Sequence, residues 1–483
     1  MTETVAVTRT TSLGVVVGSR DASSGIDRYL GVPYAAAPTH ERRFAYPVAH
    51  PGWQGVREAT SMGATAPQAP YGPVSSRFLA AAEVPGDEYL NLNIWAPEGA
   101  TGSPVMVWVH GGALAHGSNA LDGYDGSAFA RDGVVFVSIN YRVGVEGFSV
   151  LDGAPLNIGL ADVVAAFRWV RAEIAAFGGD PANITAVGQS AGATLLWALL
   201  ARDDARSLMD RAILQSGPPS AAEPPVASRL TRRIAKHLGV PATRAAFAEI
   251  PASRLSDAEQ TVTHGSTPIG GGLAYSLAID AELVPRPPLE SLRDGAASGI
   301  PLLIGLTSEE YRLWLVPTGL VDRLGFLPFA LARLRYRVTS RIMRIYRALH
   351  PGAARGELLG HLAGDMLIGL PYMKIAKARA TRGAPTHFYE FAWRSPVAGL
   401  GAAHAVELGF VFDRLDSADW EALSGPDAPQ GLADEMHAAW VSFARTGEPG
   451  WSGWQEDESI KVFDTEAPAG DTPLVRRLRA WLA

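Results

Sequence analysis

The sequence predicts an α/β fold in which helices cover both faces of a central, mostly parallel β-sheet. Six short runs are rich in Val, Ile and Leu without strict alternation, which is typical of strands buried on both faces. These runs span residues 105–109, 134–139, 184–187, 212–215, 302–305 and 387–391. Helical patterns separate them, notably at residues 160–177, where Trp169, Val170 and Ile174 fall on one side. Such alternation over a long span predicts a doubly wound sheet.

Domain organisation follows from the length of the chain and from two interruptions of this alternation. The chain has 483 residues, and α/β enzymes with insertions often reach this length as one unit. Residues 218–300 are rich in Pro, Ala and Gly, and residues 317–385 have mostly helical patterns. We expect one domain over residues 1–483, with these two segments inserted above the sheet as a cap or regulatory region. The first hundred residues have turn signals and short strand patterns instead.

Composition and charge exclude several classes of function. The net charge is −7 at pH 7, which argues against a nucleic-acid binder because such proteins usually carry a basic balance. The chain has no cysteine. Disulfides, thiolate catalysis and cysteine zinc sites are therefore excluded, and we expect no metal and no cofactor.

The beginning of the sequence and the length of its apolar stretches bear on location. Residues 1–10 lack the basic and apolar segments of a signal peptide. No charge-free apolar stretch approaches the ~20 residues that a bilayer-spanning helix needs. Together with the absence of cysteine, which fits a reducing compartment, this predicts a cytoplasmic protein with no membrane partner.

Two segments are unusually rich in arginine. Residues 331–347 contain six Arg among Leu, Tyr, Ile and Met, and residues 474–483 contain three Arg and Trp481. A helix that lies on a membrane surface has such a pattern. The solvated basic face of an ordinary helix has it more often, and we expect this second explanation at both places.

A glycine-flanked serine ends one of the predicted strands. Ser190 is the centre of the sequence GQSAG at residues 188–192, between the strand at 184–187 and a helical pattern at 193–200. A sharp strand-to-helix turn lifts the serine hydroxyl above the sheet, and the glycines leave room where a Cβ would clash. The pattern predicts a nucleophile. Since five residues can match by chance, a base, an acid and oxyanion donors must also be found.

The donors are predicted in a glycine loop earlier in the chain. The sequence HGGA at residues 110–113 directly follows the strand at 105–109. A Gly-Gly turn leaves backbone N–H groups unobstructed, and such a loop combines with the N–H after the nucleophile to form an oxyanion hole. The predicted donors are Gly112, Ala113 and Ala191.

The acid is expected shortly after a strand that follows the serine in the chain. Glu309 and Glu310 come soon after the strand at residues 302–305. A carboxylate at the carboxyl end of a strand suits the role of orienting a base. Composition does not choose between the two residues.

The base is expected last in the chain. His404 lies in a loop of small residues after the strand at 387–391, and His437 lies in a helical pattern at 432–443. We favour His404, because a ring in such a loop is free to swing over Ser190. His437 is expected to be a surface or packing residue.

Ordered motifs along nearly the whole chain identify a family. They are YLGVPYA at 29–35, LNIWAP at 92–97, WVHGGA at 108–113, NYRVG at 140–144, NIGLAD at 157–162, FGGDP at 177–181, GQSAG at 188–192, LQSG at 214–217 and WVSFARTG at 440–447. In these motifs the chain resembles the type-B carboxylesterases, which include bacterial esterases, mammalian liver carboxylesterases and cholinesterases. The resemblance implies the α/β-hydrolase fold.

The resemblance also implies roles for individual residues. The family's acid is the second of two adjacent acidic residues, which corresponds to Glu310. Its histidine lies in GAxHxxEL, which corresponds to His404, and its serine corresponds to Ser190. The donors implied are again Gly112, Ala113 and Ala191.

Departures from the family pattern concern the substrate pocket and the location. Cysteines that form a disulfide in some members correspond to Ala66 and Tyr89, which fits an intracellular bacterial member. The residue before the nucleophile is often Glu and is Gln189 here, so a cationic substrate gains less. No tryptophan in residues 74–90 matches the choline site of cholinesterases.

These observations predict a serine carboxylesterase that acts through an acyl-enzyme on small to medium uncharged esters. One alternative keeps the catalytic set and changes the substrate, as in an amidase, a carbamate hydrolase or a lactone hydrolase. A remote alternative is a non-catalytic binding or scaffold relative, although such relatives typically lose part of the set. The expected partner is a small ester, and the expected assembly is a monomer or a homodimer.

Overall fold

A single sheet of twelve strands runs through the computed structural model, which describes residues 4–266, 273–466 and 468–482. The strands are β1 Thr4–Thr11, β2 Gly14–Asp21, β3 Ile26–Pro33, β4 Val56–Glu58, β5 Asn91–Pro97, β6 Ser103–Val109, β7 Val135–Ile139, β8 Gly179–Gln189, β9 Arg211–Gln215, β10 Leu302–Thr307, β11 Thr386–Phe391 and β12 Lys461–Phe463. Their order across the sheet is β1-β2-β3-β5-β7-β6-β8-β9-β10-β11-β12, and β4 pairs with β2.

The sheet has an antiparallel part and a parallel part. From β1 to β7 the neighbours along this order are antiparallel, whereas β7, β6, β8, β9, β10, β11 and β12 are parallel to their neighbours. All six predicted runs are strands of the parallel part, so this prediction is confirmed. The strand β8 begins five residues before its predicted start because Gly179 pairs with Ser103 of β6, and after an irregularity the pairing resumes at Ile184.

Helices cover the sheet and fill the segments between its strands. In the described residues the α-helices are α1 Ser127–Arg131, α2 Gly144–Phe148, α3 Ile158–Glu173, α4 Ala191–Leu200, α5 Ala205–Leu208, α6 Pro224–Leu238, α7 Arg244–Ala248, α8 Ala252–Thr263, α9 Pro288–Arg293, α10 Arg312–Leu315, α11 Leu320–Arg323, α12 Phe326–Arg335, α13 Ser340–Leu349, α14 Arg355–Gly364, α15 Leu370–Ala380, α16 Leu408–Val411, α17 Ala418–Ser424, α18 Gln430–Thr446, α19 Trp454–Asp457 and α20 Pro473–Leu482. A π-helical turn, Asp365–Gly369, joins α14 to α15.

The helix predicted at residues 160–177 is found as α3, followed by a 3-10 turn at Ile174–Phe177. Trp169, Val170 and Ile174 are buried, as their spacing predicts. The segment at 317–385 is mostly helical, also as predicted. No helix of the described residues combines the length and the apolar character that crossing a membrane requires.

The two arginine-rich segments differ in their surroundings. Residues 331–347 contain the second half of α12 and most of α13, and the side chains of Arg335, Arg341 and Arg344 are exposed, which fits both a solvated face and a membrane-surface helix. The expectation of a solvated face at 474–483 is wrong for Arg477, which is buried and paired with Asp365 at 2.8 Å. The pairing with a buried carboxylate explains why this guanidinium lies inside.

The parallel strands bring the predicted site residues to one edge of the sheet. The carboxyl ends of parallel strands point the same way. The loops after β6, β8 and β10 carry the HGGA sequence, Ser190 and Glu310, and His404 follows β11. The sheet therefore collects residues that are far apart along the chain.

Candidate active site

Ser190 occupies a strained turn between β8 and α4. Its backbone angles are φ 56° and ψ −122°, and a non-glycine residue in this left-handed region costs ~1–3 kcal/mol. The turn is held by two hydrogen bonds. The Ser190 N–H donates to the Gln215 carbonyl at 2.8 Å, and the Ser190 carbonyl accepts from the Thr194 N–H at 3.0 Å. The side chain is half-buried, so the hydroxyl can be reached.

Close backbone approaches around this turn explain two of the glycines. A Cβ on Gly192 would lie 1.9 Å from the Val109 carbonyl oxygen, and a Cβ on Gly111 would lie 3.1 Å from the Ser190 Cβ. The first separation is far shorter than any real contact allows. The glycines therefore let the loop after β6 lie directly against the serine turn.

The three predicted oxyanion donors lie at this junction. Gly112 has φ 119° and Ala113 has φ 56°, and neither N–H donates to another backbone group in the described residues. Ala191 is the first residue of α4, and the first N–H groups of a helix have no partner within the helix. The arrangement suits the binding of an oxyanion.

His110 supports the donor loop through its contacts. Its ring stacks on Tyr141 with centroids 4.3 Å apart, and the Tyr141 hydroxyl donates to the His110 carbonyl at 2.8 Å. Burial lowers the pKa of His110 to about 4. The ring is therefore neutral near pH 7, and its Nδ1–H donates to the Gly111 carbonyl at 2.8 Å.

His404 and Glu310 are in direct contact. His404 Nδ1 donates to Glu310 Oε2 at 2.5 Å, and Glu310 Oε1 accepts the Thr307 N–H at 2.9 Å. Both side chains are buried. The bond leaves Nε2 of a neutral imidazole without a proton, which is the state a general base requires.

Glu309, the other candidate for the acid, contacts the loop that carries His404. Its carboxylate binds Arg394 and Arg312 and accepts the Ala402 N–H at 3.2 Å. Ala402 lies two residues before His404. Glu309 therefore holds the histidine loop in place, while Glu310 contacts the ring.

Gln189 is a contact of His404 that sequence reasoning missed. Its Nε2 lies 3.1 Å from His404 Nε2. Because Nδ1 carries the imidazole proton, the Gln189 amide donates to the lone pair on Nε2. A histidine that served as the base for Ser190 would need the same lone pair. Trp314 also contacts the histidine, with ring centroids 4.7 Å apart.

Glu407 adds a buried carboxyl group beneath the site. Its Oε1 accepts from Gln215 Nε2 at 3.3 Å, and Trp440 Nε1 donates to Gln215 Oε1 at 3.0 Å. Burial, and then the nearby Glu310 carboxylate, raise the pKa of Glu407 to about 7. The spacing of His404 and Glu407 in the sequence gives no sign of this raised pKa, because the rise depends on complete burial of the carboxyl group.

The remaining residues singled out by the sequence lie outside the reacting centre. His437 is a packing residue, as expected: its ring contacts Phe129, and Nδ1 donates to the Val411 carbonyl at 2.8 Å. The Ser216 hydroxyl is buried without a hydrogen-bond partner in the described residues. No group of three or more His, Asp or Glu in that part of the chain could hold a metal ion.

Comparisons with known proteins bear on the family and on the fold. The sequence pattern of the Carboxylesterase family matches residues 5–462. The para-nitrobenzyl esterase of Bacillus subtilis (strain 168) is 32% identical over 481 residues, covering 96% of each chain. The phenmedipham hydrolase of Pseudarthrobacter oxydans is 37% identical over 454 residues, covering 88% of this chain and 87% of that protein. A crystal structure of a Geobacillus stearothermophilus carboxylesterase matches with a TM-score of 0.86 at 36% identity, covering 98% of this chain and 99% of that one.

Proposed function

The chain belongs to the carboxylesterase family and is a carboxylic ester hydrolase, and from this premise we propose that Ser190, His404 and Glu310 are its catalytic residues. The observation that carries the proposal is the hydrogen bond of the Glu310 carboxylate to His404 Nδ1. This bond fixes the imidazole with its basic nitrogen free of a proton. It does so at the sheet edge where the strained turn presents the Ser190 hydroxyl.

The proposed reaction is a two-step acyl transfer. His404 Nε2 takes the proton of the Ser190 hydroxyl as its oxygen attacks the ester carbonyl, and the N–H groups of Gly112, Ala113 and Ala191 bind the oxyanion. The alcohol leaves with the proton from His404. Water then attacks the acyl-enzyme by the same route and releases the acid. Glu310 stabilises the imidazolium in both steps.

We expect small to medium uncharged esters as substrates. Gln189 places a neutral amide, and not a carboxylate, beside the histidine, so a cationic alcohol group gains no charge attraction there. The indole of Trp314 against His404 supplies an apolar wall. The similar proteins are named for a para-nitrobenzyl ester and for phenmedipham, and both compounds are suitable first substrates to test.

Domain organisation, location and assembly remain part of the proposal. One catalytic domain over residues 1–483, with the insertions at 218–300 and 317–385 as a cap or regulatory region, is supported by the single continuous sheet. A cytoplasmic location is supported by the absence of cysteine from the chain. The expected assembly is a monomer or a homodimer.

The experiment that tests the catalytic set is hydrolysis of p-nitrophenyl esters, from acetyl to decanoyl, by the wild type and Ser190→Ala. We expect kcat/KM to fall by about 10³-fold or more in the variant, because the nucleophile is removed. Ser207→Ala changes an exposed serine of α5 and should retain full activity. Equal rates for the wild type and Ser190→Ala would overturn the proposed mechanism.

The same catalytic set could favour an amide, a carbamate or a lactone. A p-nitrophenyl ester, a p-nitrophenyl carbamate, a p-nitroanilide and a lactone of similar size would separate these classes. We expect the p-nitrophenyl ester to react fastest. Its phenol leaves more readily than the amine of the anilide, and its carbonyl is more electrophilic than that of the carbamate, whose nitrogen donates electron density. A larger kcat/KM for the amide or the carbamate would assign the protein to that class instead.

A further inference from the structure

The outer face of α12 presents four large apolar side chains to solvent. Their exposed fractions are 70% for Phe326, 67% for Leu327, 58% for Leu331 and 77% for Leu334. Four of the ten large apolar side chains that are exposed in the described residues therefore lie on one helix of ten residues. Single exposed apolar residues are common, but a contiguous group marks an interaction surface.

The opposite face of α12 is packed against the protein. Phe329 is buried in a cluster with Val338, Ile342 and Met343. At 3.6 residues per turn the four exposed side chains fall within about 140° of the helix circumference, away from Phe329. The helix is therefore anchored through one apolar face while a second apolar face has no partner within the described residues.

The segment around this face carries only positive charge. Between Asp322 and Glu357 the chain has no acidic residue and eight arginines: Arg323, Arg333, Arg335, Arg337, Arg341, Arg344, Arg347 and Arg355. None of the eight forms an ion pair in the part of the chain that the structure describes, whereas the neighbouring Arg312 pairs with Glu309 and Glu357. A local charge of this kind is unusual in a chain with a net charge of −7.

We propose that α12 docks the protein on the surface of an anionic phospholipid bilayer. Exposed Phe and Leu would enter the boundary between headgroups and acyl chains, and the surrounding arginines would bind the negative headgroups. A second copy of this chain is a poorer occupant, because it would bring two arginine clusters together. The proposed binding is adsorption to one leaflet. The arginine pattern alone favours a solvated helix face, whereas the arginines together with the exposed apolar side chains favour a membrane surface.

The docked segment is connected to the active site. The segment between β10 and β11 begins at Ser308, carries Glu310 near its start and includes α12. A Cβ on Gly360 of α14 would lie 2.2 Å from the Tyr311 ring, so α14 packs directly against the residue that follows Glu310. Docking would hold the site close to esters dissolved in the bilayer. This consequence rests on the proposed function, whereas the docking itself does not.

Co-sedimentation of the full chain with sucrose-loaded vesicles tests the proposal. One set of vesicles contains phosphatidylcholine alone, and the other contains phosphatidylcholine and phosphatidylglycerol at 70:30. We expect a partition coefficient at least about ten-fold higher on the anionic vesicles at low salt, falling steeply at 0.5 M NaCl because salt screens the charges. No binding to anionic vesicles, or equal binding to both sets, would overturn the proposal.

Two variants separate the contributions to binding, and each has a matched control. The first variant removes the apolar face of α12 by the substitutions Phe326→Ser, Leu327→Ser, Leu331→Ser and Leu334→Ser. Its control changes exposed valines elsewhere on the surface: Val48→Thr, Val56→Thr and Val226→Thr. The second variant reverses the positive charge beside that face by the substitutions Arg335→Glu, Arg337→Glu and Arg341→Glu. Its control reverses exposed positive charges on α6: Arg229→Glu, Arg233→Glu and Lys236→Glu.

Both patch variants should lose at least about ten-fold in partition, and both controls should bind like the wild type. Hydrolysis of a water-soluble acetate should be unchanged in all four, which shows that the variants are folded and separates this test from that of the catalytic set. Equal losses in patch variants and controls would contradict docking through α12. Sedimentation velocity without lipid provides a further check. If the wild type is a dimer and the variant with four serines on α12 is a monomer, the apolar face serves self-association and the proposal is overturned.

Discussion

Gln189 shares the lone pair of His404 Nε2 with the nucleophile that must use it. The residue lies directly before Ser190 in the chain, and its amide donates to the imidazole at 3.1 Å. Because the donor is neutral, it neither stabilises nor opposes a protonated ring by charge. Its side chain must give way when the Ser190 hydroxyl transfers its proton.

A carboxylate at this position should change the response to acid. Gln189→Glu places a negative charge beside His404, which favours the protonated ring, so the acid limb of kcat/KM should move to higher pH by about one unit. The neutral variant Gln189→Met should leave the position of the limb unchanged. A pH–rate profile from pH 5 to 9 measures both. Coincident acid limbs for Gln189→Glu and the wild type would show that residue 189 does not face the base in solution.

At the residue scale, the sequence predicts which side chains could react better than it predicts which side chains touch each other. The turn and loop patterns predict Ser190 and His404 as reacting residues, whereas they leave Glu309 and Glu310 as alternatives. The structure shows that Glu310 is the one that contacts the His404 ring. Gln189 reaches His404 across 215 residues of chain. No local pattern encodes such a contact, since it depends on how two strand ends meet.

The C-terminal helix α20 is bound beneath the acid loop by a buried ion pair. Arg477 Nε donates to Asp365 Oδ2 at 2.8 Å, and both side chains are 2% exposed. Asp365 begins the π-helical turn between α14 and α15, and it also accepts from the Tyr346 hydroxyl. One carboxylate thus joins three helical segments.

Loss of the guanidinium should destabilise the fold strongly. Arg477→Met leaves the Asp365 charge buried without a cationic partner, which typically costs ~3–5 kcal/mol. Arg479→Met is the matched control, because the Arg479–Asp471 pair is exposed and such pairs contribute below about 1 kcal/mol. Urea unfolding followed by tryptophan fluorescence gives both values. Losses of similar size in the two variants would mean that burial does not set the strength of the Arg477 pair.

At the scale of elements, the apolar strands could be predicted and the helix ends less well. Strands buried on both faces have a strong apolar signal. The end of α3 was placed four residues late, because the 3-10 turn that follows it continues the helical pattern of buried residues. The burial of Arg477 was missed, since its partner Asp365 lies 112 residues earlier in the chain.

The stability of the whole molecule should depend on pH through Glu407. Its pKa is about 7 in the folded protein against an ordinary value of 4.5, so the folded state binds more protons than the unfolded state between these limits. The extra proton bound by the folded state stabilises it. This stabilisation is fully present below pH 4.5, falls as pH rises from 4.5 to 7, and is lost above pH 7. The loss amounts to about 3 kcal/mol.

The variant Glu407→Gln should lack this loss. Its free energy of unfolding relative to the wild type should increase by up to about 3 kcal/mol between pH 5 and pH 8. Exposed Glu421→Gln should show no such trend. Urea unfolding at pH 5, 6, 7 and 8 provides the comparison, and a constant difference across these values would contradict a neutral Glu407 in the folded state.

The distribution of the site over the sheet has a consequence for synthesis on the ribosome. The oxyanion loop emerges first, the nucleophile next, and His404 only after β11 has been made. A nascent or prematurely terminated chain that ends before residue 404 therefore contains the serine without its base. If the proposed catalytic residues are correct, newly made molecules gain activity only after more than four fifths of the polypeptide has been translated.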